Sequence, residues 1–149
     1  MKILAVDPGE KRIGLAVSDP TGTIARPLCV IKHEARQKDA QKIVELAHAE
    51  NVEMIVVGQA LDAEGEVGHQ ARKAGRLADA LREKTSCRVQ LWDESGTTRA
   101  AILSRASMGV HRKKRKGHLD DVAASIMLQD FLIANEENIK GSEVDDAQA

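Results

Sequence analysis

Aromatic side chains are almost missing from this sequence. Among 149 residues only Trp92 and Phe131 are aromatic, and there is no tyrosine. Proteins that grip single-stranded nucleic acid by stacking its bases need a row of aromatic platforms, so that mode of binding is excluded. Cysteine is nearly as scarce. Cys29 and Cys87 are isolated from each other. They have neither the paired spacing of a zinc site nor the density of a disulfide scaffold, and core or incidental roles are expected for both. No apolar run approaches the ~18 residues of a membrane span, and no secretory leader is visible. The expectation is therefore a soluble, cytoplasmic protein with no membrane partner. His33, His48, His69, His111 and His118 show no metal-ligand spacing such as H-E-x-x-H, and most are expected at the surface. There is no internal repeat.

What is present is aliphatic. Hydrophobic residues make up 42% of the chain. With so few aromatics the core must be Val, Ile, Leu and Ala, which suits a sheet packed on Ala-rich helices. The net charge is −1, but it is unevenly placed. Residues 136–149 hold Glu136, Glu137, Glu143, Asp145 and Asp146 against Lys140, a net of −4, which leaves +3 on the rest. The reading is one domain over residues 1–135 and an acidic disordered tail over 136–149.

Periodicity gives the order of elements. Lys2–Val6 is a near-continuous apolar run, as expected of a central strand covered on both faces. Arg12–Ser18 alternates large and small apolar residues with a period of two. Asp19-Pro20-Thr21-Gly22 fits a type I turn. A third strand over roughly Thr23–Ile31 contains Pro27 and belongs at an edge. Lys38–Glu50 carries a helical stripe, and Met54–Gly58 is a short β-branched strand. A second stripe runs from Val67 to about Lys84, and Arg88–Trp92 is a fifth strand. Helices are expected over Thr97–Met108 and Leu119–Ile133. The fold class is α/β: a mixed five-stranded sheet, three antiparallel strands and then two parallel ones, with helices on both faces.

Three acids adjoin these runs. Asp7 ends the first strand, Asp93-Glu94 ends the fifth, and Asp120-Asp121 opens the last helix. Parallel strands end at the same edge, and the last helix could bring Asp120 over it. Carboxylates gathered there would repel one another unless a cation sat between them. Oxygen ligands of this kind suit Mg²⁺ or Mn²⁺, the ions used for in-line attack on a phosphodiester. Just before Asp120, Arg112, Lys113, Lys114, Arg115 and Lys116 form a basic loop bounded by Gly109 and Gly117. It would contact phosphates rather than bases.

Asp7-Pro8-Gly9 with Arg12-Ile13-Gly14-Leu15-Ala16-Val17-Ser18-Asp19 resembles the opening motif of the YqgF family, also called RuvX, of RuvC-like Holliday junction resolvases. Val56-Val57-Gly58 resembles its fourth-strand motif, and Asp93-Glu94 with Thr97-Thr98 its next one. Arg112–Lys116, Leu119-Asp120, Ala123-Ala124 and Leu128-Gln129 resemble its closing motif. The resemblance spans residues 2–133. It implies an RNase H-like fold and a metal-dependent nuclease whose catalytic, metal-holding acids are Asp7, Glu94 and Asp120. The implied work is 5′-end processing of precursor 16S ribosomal RNA. Resolution of Holliday junctions in DNA is the alternative, and a non-catalytic nucleic-acid or ribosome-binding module a second one. Partners would be structured RNA or branched DNA and the ribosomal small-subunit precursor, with the chain a monomer or homodimer. The chain departs from the family at Gln59-Ala60, where Leu-Pro is usual, and at Ser95, where an Arg would stand beside the acids.

Overall fold

The computed structural model describes residues 1–59, 68–93 and 119–139, and for 119–121 the backbone alone. Five strands, β1 (Ile3–Pro8), β2 (Arg12–Ser18), β3 (Ala25–Lys32), β4 (Met54–Gln59) and β5 (Arg88–Asp93), form one sheet in the order β3-β2-β1-β4-β5. Strands β1, β2 and β3 form the expected antiparallel meander, and β4 and β5 run parallel to β1. Three helices cover it: α1 (Arg36–Ala49), α2 (His69–Lys84) and α3 (Leu119–Ala134). The helix expected over 97–108 lies outside the described residues.

Alternation along the strands divides the core in two. Leu4, Val6, Ile13, Leu15, Val17, Ile55 and Val57 point to one face and meet Ala40, Ile43, Val44, Ala47, Ala74, Leu77, Ala78 and Leu81 from α1 and α2. Ile3, Ala5, Ala16, Met54 and Val56 point to the other and meet Ala124, Met127, Leu128, Phe131 and Leu132 of α3. The small residues Ala71, Ala74 and Ala78 are fully buried on α2 and let that helix sit close to its neighbours. The only two aromatics meet edge to face, Trp92 on Phe131, with centroids 5.3 Å apart. β3 is an edge strand, as Pro27 requires. The ladder with β2 shifts register between Leu15 and Ala16, and Ala16 pairs with Pro27 across that bulge.

Most boundaries move by one or two residues, and two differ from expectation for a reason the packing shows. β1 continues through Asp7 and Pro8, because antiparallel pairing with Gly14 and Ile13 holds these residues in the ladder after the apolar run has ended. The packed structure also runs past residue 135. Residues 136–139 make a helical turn, and Ile139 is buried against Met1 and the α3 core. Its Cγ2 lies so near Gly22 that a β-carbon there would sit 2.9 Å from it, and Gly22 has φ +69°. Glycine is required at that turn for space and for conformation alike. Residues 140–149 lie outside the described residues.

Ser18 and Asp19, the end of the opening motif, prove structural. The buried Ser18 hydroxyl accepts a 2.8 Å bond from Ile3 N–H. The Asp19 carboxylate accepts from Thr23 N–H at 2.8 Å, Ile24 N–H at 2.9 Å, Thr21 N–H at 3.3 Å and the Thr21 hydroxyl. Gly22 N–H closes the type I turn on Asp19 C=O at 3.0 Å. Gln129 fixes α3 over this end of the sheet. Its side chain accepts from Ala25 N–H at 2.9 Å and donates to Thr23 C=O at 3.0 Å.

Candidate active site

Asp7 is brought to its place by strand parity. Ile3 and Ala5 face α3, so two residues on Asp7 faces the same side, at the end of the sheet where the parallel strands finish. It is half-buried. Both cross-strand positions beside it are glycines. Gly14 is its partner on β2, and on the other side Val6 pairs with Val57, so Gly58 comes next. Neither glycine brings a side chain of its own to the flanks of the carboxylate, and both are buried. Beyond Gly58 the next residue in that row is Trp92. A glycine also makes the turn that follows. Gly9 N–H donates to Arg12 C=O at 2.9 Å, and a β-carbon on Gly9 would lie 2.6 Å from that oxygen. The Asp-Pro-Gly sequence therefore fixes the strand end rigidly.

The N-terminal turn of α3 reaches the same level. Gln129 is aligned with Ile3 through Ala25 and Ser18. From Ile3 to Asp7 the strand advances roughly 13 Å. From Gln129 back to Asp120 the helix covers roughly 13.5 Å. Position 120 precedes the buried Ala124 and Met127 by one and two helical turns. The backbone thus carries positions 7 and 120 to one edge on one face.

Glu94 and the loop residues Arg112, Lys113, Lys114, Arg115 and Lys116 lie outside the described residues. Asp93 closes β5 on the opposite face, with Val89 and Leu91. Among the described residues there is no cluster of three metal-ligating side chains.

Sequence reasoning passed over a second polar arrangement at this edge, on the α1/α2 face. Asp39, 1% exposed, pairs its carboxylate with His33 Nδ1 and accepts Glu34 N–H at 3.0 Å. The pair opens on a cleft of about 220 Å³ lined by Pro8, Gly9, His33, Arg36, Lys73 and Gln70. The sheet separates it from the Asp7 face. Asp39 ties the loop after β3 to α1, which has no side-chain cap of its own. His33 is thus no free surface residue, and only the burial of a carboxylate six positions on could have signalled it.

Residues 1–134 match the RuvX family, described as Holliday junction resolvase. The chain belongs to the RuvX family. Among its relatives, a protein of Chloroflexus aurantiacus is 42% identical over 136 residues, covering 91% of this chain and 89% of its own, and is named "Putative pre-16S rRNA nuclease". A protein of Thermoanaerobacter pseudethanolicus with the same name is 38% identical, covering 89% of this chain and 96% of its own. RuvC of Thermus thermophilus, solved in complex with a Holliday junction substrate, superposes with a TM-score of 0.53 at 20% identity, over 85% of this chain and 91% of that one. The fowlpox virus resolvase, solved with Holliday junction DNA, gives 0.53 at 14% identity, over 90% and 98%. The fold of this RuvX chain is therefore the RNase H-like fold of the RuvC resolvases, as the element order and the motif resemblance led one to expect. Its curated relatives are named as nucleases. No helix among the described residues is long and apolar enough to cross a membrane.

Proposed function

We propose that the chain is a metal-dependent endonuclease that hydrolyses phosphodiesters, with the 5′ end of precursor 16S ribosomal RNA in the small-subunit precursor as its substrate. The observation that carries this is Asp7, held rigidly between two glycines at the edge to which the first turn of α3 comes. Asp7, Glu94 and Asp120 are assigned as the metal-holding and catalytic acids. Glu94 follows Trp92 by two residues, and Trp92 packs on the α3 side. An all-carboxylate donor set fits Mg²⁺ or Mn²⁺.

Bound there, a divalent cation supplies charge neutralisation on the phosphodiester and a lower pKa for the attacking water. The acids hold and orient. The water oxygen bonds to phosphorus, and one ester oxygen leaves and takes up a proton. Arg112, Lys113, Lys114, Arg115 and Lys116 contact the phosphate backbone, so affinity falls as salt rises. Cutting RNA needs one active site and is open to a monomer. Resolving a junction needs two and would call for a homodimer. A ribosomal precursor substrate implies action in the cytoplasm.

The names of the relatives favour RNA, and the family description favours branched DNA as the second reading. A cleavage assay in Mn²⁺ on precursor 16S rRNA beside a four-way DNA junction separates them. Cleavage of the RNA at its 5′ end, lost in Asp7→Asn, is expected. Cleavage of the junction alone overturns the choice of substrate. Binding of both without cleavage of either overturns catalysis.

A further inference from the structure

On the face that carries Asp7, β2 and β3 place two like charges directly opposite each other. Arg12 pairs with Lys32 in the antiparallel ladder. Ile13 and Ile31, one step along, point into the α1/α2 core, so Arg12 and Lys32 both point to the α3 side. Gly14, two residues from Arg12, is the cross-strand partner of Asp7. Arg12 is therefore the diagonal neighbour of Asp7, with α-carbons roughly 7–8 Å apart. Lys32 lies one strand further out.

Like charges directly opposite in a ladder oppose folding. Lys2 and Arg26 pair with Glu50, Lys42 with Glu34 and Arg82 with Asp79, while cations such as Arg36, Lys73 and Arg88 have no ion-pair partner among the described residues; only Arg12 and Lys32 set like charges opposite each other in a described ladder. Neither Arg12 nor Lys32 has an ion-pair partner among the described residues, and both are exposed. Lys11, in the adjoining turn, is exposed as well and adds to the same positive field. A local rule is thus broken beside the candidate site, where unfavourable pairs are tolerated for function.

We propose that Arg12 and Lys32 form a phosphate clamp, a second nucleic-acid contact that is distinct from residues 112–116 and built on strands rather than a loop. The inference rests on the nuclease reading of the Asp7 edge. An anionic backbone lying along the exposed Arg12 and Lys32 would neutralise the opposed charges and bring one phosphodiester towards Asp7. The guanidinium of Arg12 can hold two phosphate oxygens at once, and Lys32 adds a point charge to the next phosphate outward. The clamp reads no bases.

The test is binding, measured in an Asp7→Asn background so that cleavage does not enter. The probes are labelled precursor 16S rRNA and a labelled four-way DNA junction, titrated over a range of salt. Arg12→Glu combined with Lys32→Glu is expected to weaken binding and to flatten the plot of log K against log salt by about 2. Lys84→Glu combined with Arg88→Glu makes the same change of charge at the opposite edge of the sheet and is expected to leave the slope alone. Equal slopes for the clamp variant and the parent overturn the proposal. So does an equal loss in the opposite-edge control, or a parent that binds neither probe. Thermal melting confirms that both variants fold. Failure of the nuclease reading looks different: the unmutated protein binds with a clamp-dependent slope yet does not cleave in Mn²⁺.

Discussion

On one side of the sheet, Leu4, Val6, Ile13, Leu15, Val17, Ile55 and Val57 form an unbroken aliphatic floor under α1 and α2. On the other side, the same strands present Ile3, Ala5, Ala16 and Val56 under α3, and then Asp7, Gly14, Gly58 and Arg12 where the strands end. The first face is closed and carries stability. The second is packed on α3 at one end and at the other carries a half-buried carboxylate between two buried glycines, with an exposed cation beside it. Chemistry and folding are thus separated by parity along shared strands, and a substitution should tax one or the other according to the face it touches.

The largest expected contrast is between Asp7→Asn and Ile55→Ala. Asp7→Asn should abolish Mn²⁺-dependent cleavage while costing less stability than a core truncation, about 1 kcal/mol. Nuclease assay and thermal melting on one preparation would check this; full activity in that variant would remove Asp7 from the site. Ile55 is fully buried on the aliphatic side. Ile55→Ala should cost about 2–5 kcal/mol by denaturant titration, yet leave the rate per folded molecule intact. A matched fall in rate would mean that the two faces are coupled.

Gln129→Ala probes the boundary between them. It removes two bonds that hold α3 over the start of β3 and the turn before it and should cost about 1–2 kcal/mol. Because those bonds set the height of the first turn of α3 over Asp7, the rate should fall as well. Gln129→Glu keeps the acceptor for Ala25 N–H but loses the donor to Thr23, and should fall between.

Much of this was legible in the sequence for physical reasons that can be named. Alternation in Arg12–Ser18, Pro27 in an edge strand and the Asp19–Gly22 turn are local signals, and each is present. Parity also fixes the face of Asp7 once its strand is known. Residues that pair across strands were not legible. Nothing in the order of residues says that Arg12 meets Lys32, or that Gly14 and Gly58 flank Asp7, because register is a property of two segments at once. The same holds for Asp39 with His33, whose meaning depends on burial. In the sequence Asp19 is both a turn residue and the end of a motif that otherwise frames the site. In the structure it stands at the far end of the sheet and only locks a hairpin.

Asp19 gives the pH-dependent member of the series. Burial alone would raise its carboxyl pKa. Bonds from Ile24 N–H, the Thr21 hydroxyl, Thr23 N–H and Thr21 N–H outweigh that and hold it well below the usual carboxylate range. An acid depressed in the folded state lends stability that is complete above its unfolded pKa of roughly 3.9 and is lost as pH falls towards the folded value. Asp19→Asn should therefore lose about 1 kcal/mol at neutral pH and show a flatter decline below about pH 4 than the parent. An unchanged acid limb in denaturant titrations would show that the turn does not depend on that charge.

The smallest effect is the most discriminating, because its two readouts should move in opposite directions. In the Asp7→Asn background, where no like charge stands diagonal to it, Arg12→Glu turns the opposed pair with Lys32 into an attractive one and should raise stability by about 0.2–1 kcal/mol. On the aliphatic face a charge could only do harm. Here the gain would come with weaker, less salt-sensitive binding of nucleic acid, the trade expected where a site keeps an unfavourable arrangement for its ligand. If stability rises and binding is untouched, the cation pair is incidental. If stability falls, Arg12 makes a contact that its neighbours on the ladder do not account for.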